Sequence, residues 1–126
     1  MSKNLQLEQG DKELLLDFKA LENIKNNIKT GDIIGSIRNL KVIRPNLTHA
    51  YDVQKIIINI LKNQGKKIQH SDTSTVKILF RCAFVIRALN PIMYRSPKKI
   101  AKLIDYVTDL ELAVRQVHYN IKNLGL

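Results

Sequence analysis

Cysteine is almost missing from this chain: Cys82 is the only one among 126 residues. That excludes an internal disulfide framework and a cysteine-based zinc site, and it points to a reducing, intracellular setting, cytoplasmic or nuclear. Tryptophan is absent and the four tyrosines are scattered, so platforms for stacking single-stranded bases are scarce. Five glycines, none clustered, supply no phosphate-cradling loop, and no P-loop, GxGxxG or GxSxG pattern occurs. No apolar run approaches ~20 residues, so no segment is expected to span a membrane. The opening "MSKNLQLEQGDKE" lacks the apolar stretch of a secretory signal, and residues 1–11 are expected to be flexible.

Carboxylates are also few, 11 against 21 Lys and Arg, and their distribution is uneven. Residues 1–24 carry net −2 and residues 103–126 net −1, whereas residues 25–102 carry net +13. A basic waist of this kind suits a polyanion or an acidic peptide. Fifteen Lys, seventeen Ile and eleven Asn also fit A/T-rich coding, which supplies lysines without any function. Both readings stay open on composition alone.

Catalytic constellations are missing too. His49, His70 and His118 lie far apart, beside no Cys or carboxylate at ligand spacing. Asp105 and Asp109 share one side of a helix, but as a solvated face rather than an acid–base pair. Cys82 sits among Phe80, Ala83 and Phe84, the surroundings of a small core residue. The expectation is a non-enzymatic protein without cofactor or metal.

What is present is helical periodicity from end to end, with no sustained period-2 alternation, in a single domain long enough for its own core. Leu14, Phe18, Leu21, Ile24 and Ile28 form one stripe over residues 12–29, which Gly31 ends and after which Asp32 caps the next start. A short second helix carries Ile33, Ile34, Ile37 and Leu40, with Pro45 just past its end. A third starts near Thr48 as N-cap and carries Val53, Ile56, Ile57, Ile60 and Leu61 up to Gly65. A fourth, over 73–89 after a Ser71 or Asp72 cap, is apolar nearly all round, which predicts the central, most buried helix. The sequence thus predicts an all-α, compact bundle of five to six helices with a long C-terminal helix.

That last helix opens at "RSPKK", residues 95–99. Ser96 is a preferred N-cap and Pro97 suits the first helical position, so a helix start accounts for both. Lys98 and Lys99 oppose the helix dipole, which makes them candidates for an anion contact. Beyond them Ile100, Leu103, Val107, Leu110, Val114, Val117, Ile121 and Leu124 follow alternating spacings of three and four. Residues 100–124 read either as a homodimer seam or as a helix packed on its own bundle. The flanking positions lack complementary charge pairs, which favours the bundle.

Two kinds of partner follow from the residues. Lys55, Lys62, Lys77, Arg81, Arg95, Lys98, Lys99 and Lys102 could neutralise phosphates, so backbone-directed nucleic-acid binding is one expectation. The other is a protein partner. The run "NIKNNIKTGDIIGSIRNLKVIRPNLT", followed by "INILKNQGKK" at residues 58–67, resembles the opening of the integrase-binding domain of lens-epithelium-derived growth factor, within the TFIIS N-terminal helical-bundle class. The resemblance spans residues 19–89 with gaps, and the chain departs from the pattern in its added helix from Ser96. It implies a docking module for disordered segments of transcription and chromatin factors, working through two inter-helix loops at one end of a bundle. By position those loops are Thr30-Gly31-Asp32 and Lys66-Lys67-Ile68. There, Ile68 would serve as an apolar anchor, Asp32 as an acceptor and the lysines as attractors of acidic peptide.

Overall fold

The computed structural model describes residues 18–125, and all of their regular structure is helical. Four α-helices follow in order: α1 (Phe18–Lys29), α2 (Ile33–Asn63), α3 (His70–Ile86) and α4 (Pro97–Asn123), with a 3₁₀ turn at Pro91–Met93 before the last. The expected onset of the first helix at residue 12 and the expected flexibility of residues 1–11 lie outside the described residues.

Each turn has a local cause. After α1, Gly31 takes φ +99, its N–H bonds Ile28 O, and the Asp32 N–H reaches back to Asn27 O. This is a Schellman closure that only a residue without Cβ enters cheaply. Asp32 then caps α2, accepting from the Gly35 N–H at 3.0 Å. Gly65 repeats the device at the end of α2, with φ +70 and Lys66 N–H bonded to Leu61 O. Helix α4 opens as its residues require: Ser96 Oγ accepts from the Lys99 N–H at 3.2 Å, and Pro97 occupies the first turn.

Among the described residues there are four α-helices rather than five to six, because the expected second and third helices are one helix of 31 residues with Pro45 inside it. Proline there leaves the Lys41 carbonyl without its N–H partner, at a cost of roughly 3 kcal/mol in an isolated helix. Tertiary burial outweighs that cost. Ile37 and Leu40 before the proline, and Leu47, Ala50 and Val53 after it, all enter one core. Thr48, expected to start a helix, lies within α2 and donates its hydroxyl to Arg44 O at 3.2 Å. Pro45→Ala should accordingly stabilise the protein by about 1 kcal/mol in urea unfolding, since the restored N–H outweighs the stiffness that proline lends the unfolded chain. A destabilised variant would mean that α2 needs the bend.

The central helix is α4 rather than α3. It packs against all three others, and its whole run from Leu103 through Val107, Leu110, Val114 and Val117 to Ile121 is buried. The heptad stripe therefore faces its own bundle and is not an open dimer seam. Helix α3 begins at His70, earlier than expected, with Asp72 in its first turn. It buries Leu79, Cys82, Ala83 and Ile86, whereas Phe80 and Phe84 are 59% and 70% exposed. An all-round apolar helix is buried all round only if every face has a neighbour; α3 packs on α2 and α4 and leaves one face open.

Candidate functional site

Of the expected docking loops, the two parts do not meet. Thr30 and Asp32 precede α2 and Lys66-Lys67-Ile68 follow it, so about 45 Å of continuous helix separates them. The polar atoms of the first loop already serve the fold: the Thr30 hydroxyl donates to Asn27 O at 3.0 Å, and Asp32 caps α2. Ile68 is half-buried. The two loops thus lie at opposite ends of the single long α2 rather than side by side.

Lys66 and Lys67 border a polar depression of about 400 Å³ between α2, α3 and the last turns of α4. Its wall includes Asp72 and Asn120, both buried. Asn120 Nδ2 donates to Asp72 Oδ1 at 3.0 Å and to Gln54 Oε1 at 3.3 Å, and Gln54 Nε2 donates to Asp72 O at 3.2 Å. The Gln69 N–H donates to the other Asp72 carboxylate oxygen at 3.1 Å. These groups are mutually satisfied across three helices, so the network pins elements together rather than offering free ligands.

The open face of α3 is different. Phe80 and Phe84, one turn apart, stand as a ridge with a depression on either side. Toward α2 the walls are Arg44, Thr48, Tyr51, Asp52 and Ala83, around about 200 Å³. On the other side Lys77, Arg81 and Val85 enclose about 340 Å³. Val85 also belongs to a third depression of about 310 Å³, floored by Leu89 and Leu103 and rimmed by Met93, Tyr94, Lys99 and Lys102. The three share walls and form one apolar band around α3.

The band rests on a firm base. The Phe80 ring packs on Tyr51 with centroids 5.5 Å apart, and Lys55 Nζ lies 5.2 Å from the centroid of that same tyrosine. Arg44 Nε donates to Ala83 O at 2.7 Å, and the Tyr106 hydroxyl donates to Cys82 O at 2.7 Å. Both close carbonyls in the last turns of α3, where donors complement the helix terminus.

Five of the expected cation positions fall on or beside this face: Lys55, Lys77, Arg81, Lys99 and Lys102. Lys98 is exposed beside Lys99, Arg95 is exposed just before α4 begins, and Lys62 is exposed at the far end of α2. Sequence reasoning missed Phe80 and Phe84, which it assigned to the core. The available signal was that no single helical stripe could bury Phe80 and Phe84 along with Leu79, Cys82 and Ile86.

Among the described residues, Cys82 and Tyr106 are the two groups with displaced titration. Burial, reinforced by Asp109 against the opposing Tyr106 contact and Arg81, pushes the Cys82 thiol from an ordinary 9.0 to about 11. Burial and the adjacent Cys82 likewise raise the Tyr106 hydroxyl. Both groups are held neutral in the folded protein and ionise more readily once unfolded. The Cys82 contribution to stability is therefore intact below about pH 9 and erodes as pH climbs from 9 toward 11, whereas that of Tyr106 erodes only from about pH 10 upward. Cys82 should resist iodoacetamide at pH 7.5 until denaturant unfolds the chain. Rapid alkylation of the native protein would refute the burial of this thiol.

Among the described residues, no three His, Cys, Asp or Glu side chains gather where they could hold a metal ion, and no helix is long and apolar enough to cross a membrane. Comparison of the chain with protein-family models, with curated proteins and with solved structures found no match.

Proposed function

We propose that this protein is a non-enzymatic interaction module that docks a protein partner on the open face of α3. The observation that carries this reading is the ridge of Phe80 and Phe84, two large aromatics exposed one turn apart between apolar depressions. Exposed apolar side chains occurring singly need no explanation, but a contiguous, concave, aromatic-centred patch is what partner-binding surfaces offer. The reading keeps the docking role implied by the resemblance to integrase-binding-domain bundles and moves the surface from the loops to α3. A place in a transcription, chromatin or other nucleoprotein complex is part of the same proposal.

The test is affinity capture with quantitative mass spectrometry, comparing wild type with the Phe80→Ser/Phe84→Ser double variant. Both side chains are largely exposed, so stability should fall by only ~0.5 kcal/mol at Phe84 and by about 1 kcal/mol at Phe80, which also loses its packing on Tyr51. The specifically captured partner should disappear with the variant. An unchanged set of captured proteins would remove α3 as the docking face.

A second reading, nucleic-acid binding, draws support from Tyr51, Phe80 and Phe84 lying among Lys55, Lys77 and Arg81. It predicts affinity falling steeply between low and physiological salt.

A further inference from the structure

Resting on the α3 docking surface above, we infer that its partner is an acidic, amphipathic peptide segment whose apolar side chains fill the depressions beside Phe80, Phe84 and Val85. Shape and charge each contribute a separate argument.

The depressions are apolar at the base and cationic at the rim. Leu89 and Leu103 are nearly inaccessible at the floor of the third one, and Lys99 and Lys102 stand over them. Lys77 and Arg81 border the second, and Arg44 borders the first. Among the described residues, Asp52 is the one carboxylate that lines any of the three. A surface of this composition repels a second copy of itself, so self-association through α3 would bring like charges together at both rims. It attracts a segment with apolar residues in the centre and Asp or Glu on either side.

Nucleic acid fits the same charge but not the same shape. Successive bases need a row of free, flat aromatic faces, whereas of the two ridge rings Phe80 is already packed at a 44° tilt against Tyr51, which leaves Phe84, 70% exposed, as the more open one. The concavities, of about 200 to 340 Å³, are sized for branched or aromatic side chains entering end-on. An amphipathic helix laid into a groove presents such side chains at i, i+3, i+4 and i+7.

The experiment uses the full chain and fluorescein-labelled peptides of about fifteen residues, roughly 22 Å as a helix. One peptide carries Leu and Phe at helical spacing among Asp and Glu. A second replaces the acids with Lys, and a third keeps the acids but replaces the apolar residues with Ser. Anisotropy titration should show the first binding about tenfold tighter or more than either control. Lys99→Glu/Lys102→Glu should weaken it by about tenfold or more, and so should Phe80→Ser/Phe84→Ser. Circular dichroism of each variant confirms that these exposed sites leave the fold in place.

Equal binding of the acidic and lysine peptides, or indifference to Lys99→Glu/Lys102→Glu, overturns the acidic partner. If Phe80→Ser/Phe84→Ser still weakens binding in that case, docking on α3 survives and only the partner's chemistry is wrong. Failure of the acidic amphipathic peptide to bind at all also overturns the inference. Displacement of that peptide by oligouridylate, with tighter binding of the RNA, replaces it with the nucleic-acid reading.

Discussion

Replacing Asp72 with alanine should lower the free energy of unfolding by about 3 kcal/mol in urea titration, a large loss for one carboxylate near a helix end. Two effects add. In the first turn of α3 the Asp72 side chain accepts from the Gln69 N–H, a cap contribution of about 1 kcal/mol that the helix dipole supports. Its other oxygen accepts from Asn120 Nδ2 in a site from which water is largely excluded. Alanine would leave that buried amide with Gln54 Oε1 alone, at 3.3 Å, and an under-satisfied buried donor costs about 1–3 kcal/mol. Asp72→Asn, which keeps one acceptor in place, should lose only about half as much. A loss below ~1 kcal/mol for alanine would mean that water reaches Asn120 and the network does not hold α2, α3 and α4 together.

This network also marks the limit of what the sequence could disclose. Capping chemistry is local, so Asp72 was legible as part of a helix start, but as the cap itself, whereas Gln69 is the N-cap and Asp72 the third residue of the helix. Its partners Gln54 and Asn120 lie 18 and 48 positions away, and nothing in their own neighbourhoods announces a buried amide. The same division runs through the fold. Gly31, Gly65, Ser96 and Pro97 act within one turn of themselves, and each does what its chemistry predicts. Pro45 obeys a local rule that lost to burial on both of its sides, and that single reversal merged two helices and pulled the paired loops apart. For α3, apolar content said that many faces could be buried, but not which face would find a neighbour. The candidate docking surface lay in that gap: a core residue and a partner-binding residue can be the same phenylalanine until the packing is known.

Leu110→Ala should cost about 3 kcal/mol or more while leaving the state of association unchanged. Leu110 is fully buried at the middle of α4, the helix against which α1, α2 and α3 all pack, and belongs to one continuous core. Removing a buried leucine side chain forfeits its transfer energy and leaves a cavity that surrounding helices fill only in part, typically 2–5 kcal/mol together. The spacing of Ile100 through Leu124 admits another outcome. Were this stripe a seam between two chains, Leu110 would occupy a position contributed by both copies. The wild-type unfolding midpoint would then rise with protein concentration, and the variant would dissociate before it unfolded. With Leu103, Val107, Leu110 and Val117 already covered within one chain, the midpoint in urea or heat should be independent of protein concentration over about a hundredfold range for both proteins. A concentration-dependent midpoint would show that the bundle opens α4 to a second copy, and the core described for residues 18–125 would have to be redrawn.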